Sequence, residues 1–173
     1  HLVGRAELRE QRADAIRRAP ADARVHFVEY EHGAPLARAQ RVLQREEHAR
    51  QLAAGRDGSL LAYDFVGDFN TGAYSSWGPT VANRVPIHAS GPYRISAVRA
   101  LTRAVYTNKA IAGAFRGFGV PQSTLLNETL VDMLAERLER DPLEYRFEQA
   151  LRAGDTTPTG QMLSASVGMQ ACL

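Results

Sequence analysis

Residues Gly113-Ala114-Phe115-Arg116-Gly117-Phe118-Gly119-Val120-Pro121-Gln122 combine two aromatic rings and one guanidinium with three glycines. A core segment does not spend so many glycines, because each loses more chain entropy on ordering than any other residue. A flexible linker does not carry two Phe and an Arg. The pattern suits a tight turn whose backbone approaches a ligand, with Arg116 and Phe118 aimed at it. Pro121-Gln122 then opens a helix, since Pro is suited to a first helical turn. Such a turn belongs to an active site.

The elements around this turn must position it. Asp57-Gly58 reads as a hairpin turn, and residues 60–69 follow as an alternating strand. Asn70 to Pro79 is a polar, aromatic, glycine-bearing loop. Thr80 to Ile87 reads as a short helical turn that carries Arg84, and Gly91-Pro92 breaks it. Tyr93 to Thr107 is β-rich and reads as one long strand or a bent pair. After the turn, Leu126, Leu130, Met133, Leu134 and Leu138 repeat at helical spacing. Asp141-Pro142-Leu143-Glu144 has the makings of a capped second helix, which runs to a stop near Gly154. The expected fold class is α+β. A mixed or antiparallel sheet from residues 60–69 and 93–107 carries the helices at 121–139 and 142–152 on one side. Upstream, residues 1–55 are rich in Arg, Ala and Glu. They read as a short helix, a strand at Val25–Tyr30 and a second helix from Leu36 to Leu52.

Composition narrows the function classes. The chain has 173 residues, 45% hydrophobic and 23% charged, as in an ordinary globular protein. A net charge of +2, with acidic residues interleaved among the arginines, argues against a nucleic-acid partner. The single cysteine, Cys172, excludes a disulfide framework or a cysteine-based zinc or iron–sulfur site within this sequence. No apolar run is long enough to span a membrane, and the first twenty residues are charged throughout. The expected location is cytoplasmic. The ends, His1 and Leu173, read as cuts in a longer chain or as the product of processing.

The Gly113–Gln122 segment resembles a signature of the molybdenum hydroxylase large subunit, the xanthine dehydrogenase and aldehyde oxidoreductase family. Asp57-Gly58-Ser59-Leu60-Leu61-Ala62, Asn70-Thr71-Gly72-Ala73-Tyr74, Thr107-Asn108 and Asp141-Pro142-Leu143-Glu144-Tyr145-Arg146 are similar to family segments in the same order. Gly154 to Gln161 is similar to the aldehyde oxidoreductase branch. The resemblance covers residues 45–173, as part of a larger molybdopterin-binding domain, and leaves residues 1–44 as a poorly matched Arg/Ala-rich segment.

The resemblance implies hydroxylation of a carbon of an aldehyde or a purine-like N-heterocycle, with water as the oxygen source. It implies Arg116 as a cofactor-binding residue, and Phe118 and Arg84 as substrate-binding residues. Arg84 stands thirty-four residues before Phe118, as a substrate-orienting arginine does in xanthine dehydrogenases. An arginine fork suits an anionic, oxygen-rich metal centre, and a Phe face orients a flat ring. No catalytic residue is assigned within the chain, because the family's general-base glutamate is expected outside it. No protein side chain is expected to ligate the metal directly. The implied cofactor is molybdenum–molybdopterin, and the resemblance admits its cytosine dinucleotide form. Iron–sulfur clusters, and optionally FAD, are implied on partner domains or subunits, with the full enzyme an oligomer and a small molecule as substrate. The isolated chain is expected to be inactive. Two other readings stand beside this one: a truncated remnant or assembly piece of such a subunit, and a generic anion- or phosphate-binding module at the Pro121 helix. Taken singly, Phe115, Tyr74 and Trp77 read as packing residues, and His26 and His88 as structural.

Overall fold

The computed structural model describes residues 23–27 and 50–173; of residues 23–27 and 50 only the strand placement is described. The expected helix near the N-terminus lies outside the described residues. Four strands form one mixed sheet: β1 (Ala23–Phe27), β2 (Arg50–Ala54), β3 (Leu60–Gly72) and β4 (Ala97–Tyr106), in that spatial order. β1 runs parallel to β2, β2 antiparallel to β3, and β3 parallel to β4. The helices are α1 (Gly78–His88), α2 (Val120–Arg137), α3 (Pro142–Gln149) and the short α4 (Met169–Cys172).

Alternation along β3 and β4 sorts the two faces. Tyr63 and Phe65 of β3, with Leu52 of β2, point to the helices and join Val85 of α1 and Leu126, Leu130 and Leu134 of α2 in one core. On the opposite face two charge pairs stand in register across the parallel strands. Arg99 donates from Nε to Asp64 at 2.8 Å and from its Nη2 to the other carboxylate oxygen. Arg103 does the same for Asp68 at 2.6 and 3.0 Å. Asp64 is buried, and the two-pronged fork satisfies its carboxylate.

The β3–α1–β4 unit is a parallel crossover with a helix between its strands. α1 contains Pro86, which has no N–H to give to the carbonyl four residues earlier, Ala82. That carbonyl is buried with its residue, and Thr102 of β4 donates its hydroxyl to it at 2.8 Å. The proline break in the helix ladder thereby becomes a link between α1 and the sheet.

α3 begins at Asp141, whose carboxylate accepts from the amides of Leu143 at 2.8 Å and Glu144 at 3.1 Å, as the Asp-Pro-x-Glu text predicts. α3 and the residue before its cap hold the β2–β3 hairpin: the Tyr145 hydroxyl donates to the Gly58 carbonyl at 2.7 Å, and Arg140 Nη2 donates to the Asp57 carbonyl at 2.8 Å. Burial, more than the charges around it, pushes the Tyr145 hydroxyl well above its ordinary value.

Four expectations are corrected. The predicted helix ending at Leu52 is strand from Arg50 onward, because pairing with β3 overrides the helix preference of Gln51, Leu52 and Ala53; the rest of that helix lies outside the described residues. β4 begins at Ala97 rather than Tyr93; Tyr93 forms an isolated antiparallel bridge with Ala150. That bridge, with Arg94 N donating to Gln149 O and Leu151 N to Pro92 O, also stops α3 at Gln149, five residues before Gly154. The turn at Thr80–Ile87 is a full helix over Gly78–His88. Among the described residues no helix is long and apolar enough to cross a membrane.

Candidate functional site at the carboxyl ends of two parallel strands

Because β3 and β4 run parallel, the loops that leave them emerge at the same end of the sheet. In open α/β sheets ligands bind in the crevice outside the carboxyl ends of parallel strands, and loops there carry the binding groups. The loop after β3 spans 73–77, and the loop after β4 spans 107–119.

The two loops are joined by hydrogen bonds that start from Asn70. Its Oδ1 accepts from the Thr107 hydroxyl at 2.7 Å and from the Gly72 amide at 2.8 Å. The backbone continues the seam: Thr107 N donates to Gly72 O at 3.0 Å, Ala73 N to Lys109 O at 3.2 Å and Ala112 N to Thr71 O at 3.1 Å. The Asn70–Tyr74 text thus ties one loop to the other. No spacing rule assigned Asn70 that part.

Farther along, three successive residues lie in the left-handed region: Gly117 at φ +89°, Phe118 at +49° and Gly119 at +92°. Phe118 N donates to Phe115 O at 2.9 Å, and Val120 N to Gly117 O at 3.0 Å. A side chain at 119 would bring its Cβ within 2.8 Å of the Val81 carbonyl on α1, and one at 117 would meet the Pro121 ring at 2.5 Å. Only glycine permits both the left-handed turn and the close approach. The loop is therefore pressed onto α1, the helix that carries Arg84, and Gly119 becomes the N-cap of α2.

Arg116 is exposed, and so is Arg84. Neither pairs with another side chain among the described residues, unlike Arg99, Arg103, Arg140 and Arg146. The loop's contact with α1 at Val81 and Val85 brings together the two segments that carry these arginines. Phe118 is half-buried, and its ring meets the Trp77 indole edge-on at 6.3 Å between centroids and 66° between planes. The packing reading fails for three aromatics: Phe115 is 86% exposed, Tyr74 69% and Trp77 60%. They stand on loops whose backbones are held by the seam, so their rings are not needed to fill the core.

The donor chemistry at this end is one-sided. Arg116 offers a fixed cationic fork, and the main-chain N–H groups of Gly117 and Gly119 donate to no atom among the described residues. The residues Arg116 to Gly119 bring no carboxylate. A set of donors on strained, glycine-lined backbone fits an oxygen-rich anionic group. Among the described residues no cluster of His, Cys, Asp and Glu is placed to hold a metal ion directly.

This architecture, a mixed sheet with a linked loop pair at the carboxyl end of its parallel strands, suits a ligand-binding domain. Residues 39–149 match the molybdopterin cofactor-binding domain family, and the chain belongs to that family. It is 43% identical over 119 residues to the nicotinate dehydrogenase large molybdopterin subunit of Eubacterium barkeri, covering 69% of this chain and 28% of that protein. It is 45% identical over 111 residues to an aldehyde oxidoreductase of Megalodesulfovibrio gigas, covering 64% of this chain and 12% of that one. The solved structure of the aldehyde oxidoreductase from Desulfovibrio gigas superposes with a TM-score of 0.64 at 41% identity, over 69% of this chain and 13% of that one. The chain thus spans well under a third of the length of these curated relatives.

Proposed function

We propose that this chain is a portion of a molybdenum-dependent oxidoreductase that hydroxylates a carbon of an aldehyde or N-heterocycle. The observation that carries the reading is the Arg116–Gly119 turn, where a guanidinium and two amides without a partner among the described residues share one glycine-lined bend at the carboxyl end of β3 and β4. The names of the relatives, a nicotinate dehydrogenase subunit and aldehyde oxidoreductases, support it. The reading takes residues 45–173 as one part of the cofactor domain.

When bound, the molybdenum cofactor supplies the redox chemistry that places an oxygen from water on a carbon. The chain's own residues bind and orient. Arg116 holds an anionic edge of the cofactor through a charge-assisted fork. The Phe118 ring lies against a flat substrate and sets its angle. Arg84 stabilises negative charge that develops on a heterocycle, a contribution of the oxyanion-hole kind. The proton-abstracting carboxylate, the iron–sulfur clusters and any flavin belong to parts outside this chain. The substrate remains either class, because Arg84 favours an N-heterocycle while an aldehyde does not need it.

The test is Arg116→Ala in the enzyme that carries this segment, followed by kcat/KM and by molybdenum content per subunit. The expected result is a loss of turnover on the order of 100-fold with the fold intact by circular dichroism. Unchanged kinetics and metal content would remove Arg116 from the site.

A further inference from the structure

We propose that Trp77 is a positioning residue, whose indole fixes the ring of Phe118 at the angle from which it meets a flat substrate. The inference rests on the reading of Phe118 just given.

The backbone of Phe118 is already fixed. Its φ of +49° is set by the glycines on either side, by two turn hydrogen bonds and by the approach of Gly119 to Val81. What that backbone does not fix is the side chain, which keeps rotational freedom about its own two torsions. The described aromatic contact of the Phe118 ring is with Trp77, at 6.3 Å and 66°. This is edge-to-face geometry, which biases one ring orientation roughly 2- to 12-fold over uncoupled rings.

Trp77 is itself well anchored. Its carbonyl accepts from Val81 N at 2.9 Å, so its backbone is the cap of α1. Gly113 passes over Ser76 and the Trp77 amide, where a Cβ would stand 2.9 Å from the Ser76 hydroxyl. The indole therefore projects from a rigid helix start toward a rigid loop. A residue that only filled space would bury its ring, yet Trp77 is 60% exposed and touches Phe118 by an edge. The loops of β3 and β4 are thus coupled twice, by the Asn70 seam through the backbone and by this ring pair through the side chains.

Trp77 is the one tryptophan of this sequence, and its signal in the enzyme that carries the segment is the difference between the parent and Trp77→Phe, read without any cofactor. That difference in near-ultraviolet circular dichroism is expected to collapse in a Phe118→Ala background and to persist in a Phe115→Ala background, where the lost ring is an exposed one. An indole band unchanged in Phe118→Ala overturns the proposal. In the loaded enzyme, Trp77→Ala is expected to raise KM for a flat heteroaromatic substrate roughly 2- to 12-fold, to leave KM for a small aliphatic aldehyde in place, and to be rescued by Trp77→Phe. If Phe118→Ala raises that KM and Trp77→Ala does not, positioning by Trp77 is wrong while the role of Phe118 stands. If Phe118→Ala leaves it unchanged, the reading of Phe118 fails and takes the proposal with it.

Discussion

Thr102 shows how a single hydroxyl can offset a backbone defect. Pro86 leaves the Ala82 carbonyl without its helical donor, and Thr102 reaches across from β4 to supply one. A valine at 102 keeps the shape and removes the donor. Thr102→Val is expected to destabilise the chain by about 1–3 kcal/mol, the cost of a buried acceptor left unmet. Urea midpoints with unchanged slope would measure it; a variant as stable as the parent would show that water reaches the carbonyl. The sequence did not disclose this pairing. Pro86 was visible, but the partner lies in another element, and only the parallel register of β3 and β4 brings Thr102 over α1. Arg116 and Phe118 were legible for the opposite reason. Their setting among glycines is local, and positive φ at 117 and 119 follows from residue type alone. Phe115 misled because a large ring in a short loop reads as core until the loop's own hydrogen bonds make burial unnecessary.

Among elements, the docking of α3 on α2 turns on Arg146. Its Nε donates to Glu128 at 2.8 Å and its Nη1 to Asp132 at 2.7 Å, with only 14% of the side chain exposed. Glu128 in turn accepts from the Tyr93 hydroxyl at 2.9 Å, so one carboxylate joins α2, α3 and the segment before β4. Burial works against the charge on Arg146, and the hydrogen bonds it donates to Asp132 and Glu128 more than offset it, so the guanidinium stays charged. Arg146→Ala would leave two carboxylates short of a partner, and a loss of about 1.5–3 kcal/mol is expected. The same change in an Asp132→Asn background should cost less, and a double-mutant cycle with no coupling would refute the network. The helices themselves were readable, α2 from its leucine period and the α3 start from its Asp-Pro-x-Glu cap. β2 was not, since five residues of helix-favouring type became strand only through neighbours on both sides.

At the scale of the molecule, the hydroxyls of Tyr93 and Tyr145, two of the buried tyrosines, tie stability to alkaline pH. Burial raises both hydroxyls above their ordinary value of 10.0, for Tyr93 with help from the Glu128 carboxylate. A raised value means the folded state favours the neutral form. That contribution is complete below 10.0 and is lost as pH rises toward the folded value. Tyr145→Phe should be less stable at neutral pH by about 1 kcal/mol, having lost its bond to Gly58. Above pH 10.0 the gap to the parent should narrow, because the variant has one fewer hydroxyl to ionise on unfolding. Parallel stability curves across that range would show that Tyr145 is not shielded. The overall α+β arrangement with helices on one face follows from sequence pattern. The parallel sense of β3 and β4 does not, because a helix only eleven residues long serves as the crossover and its text suggested a mere turn.

The outermost strand has a consequence of its own. β4 ends the sheet, so along Ala97–Tyr106 one flank of ten residues lacks a neighbouring strand among the described elements, with Leu101 and Val105 in the open beside it. Nature usually blunts such a rim with proline, a bulge or a cover, and this stretch contains no proline. A rim of that kind is a template on which a further strand can add. The same strand that delivers the site loop thus carries the open flank, and Leu101→Lys, which puts a charge beside it, is expected to raise the concentration at which the chain stays monodisperse by light scattering, with the parent's value unchanged as the refuting result.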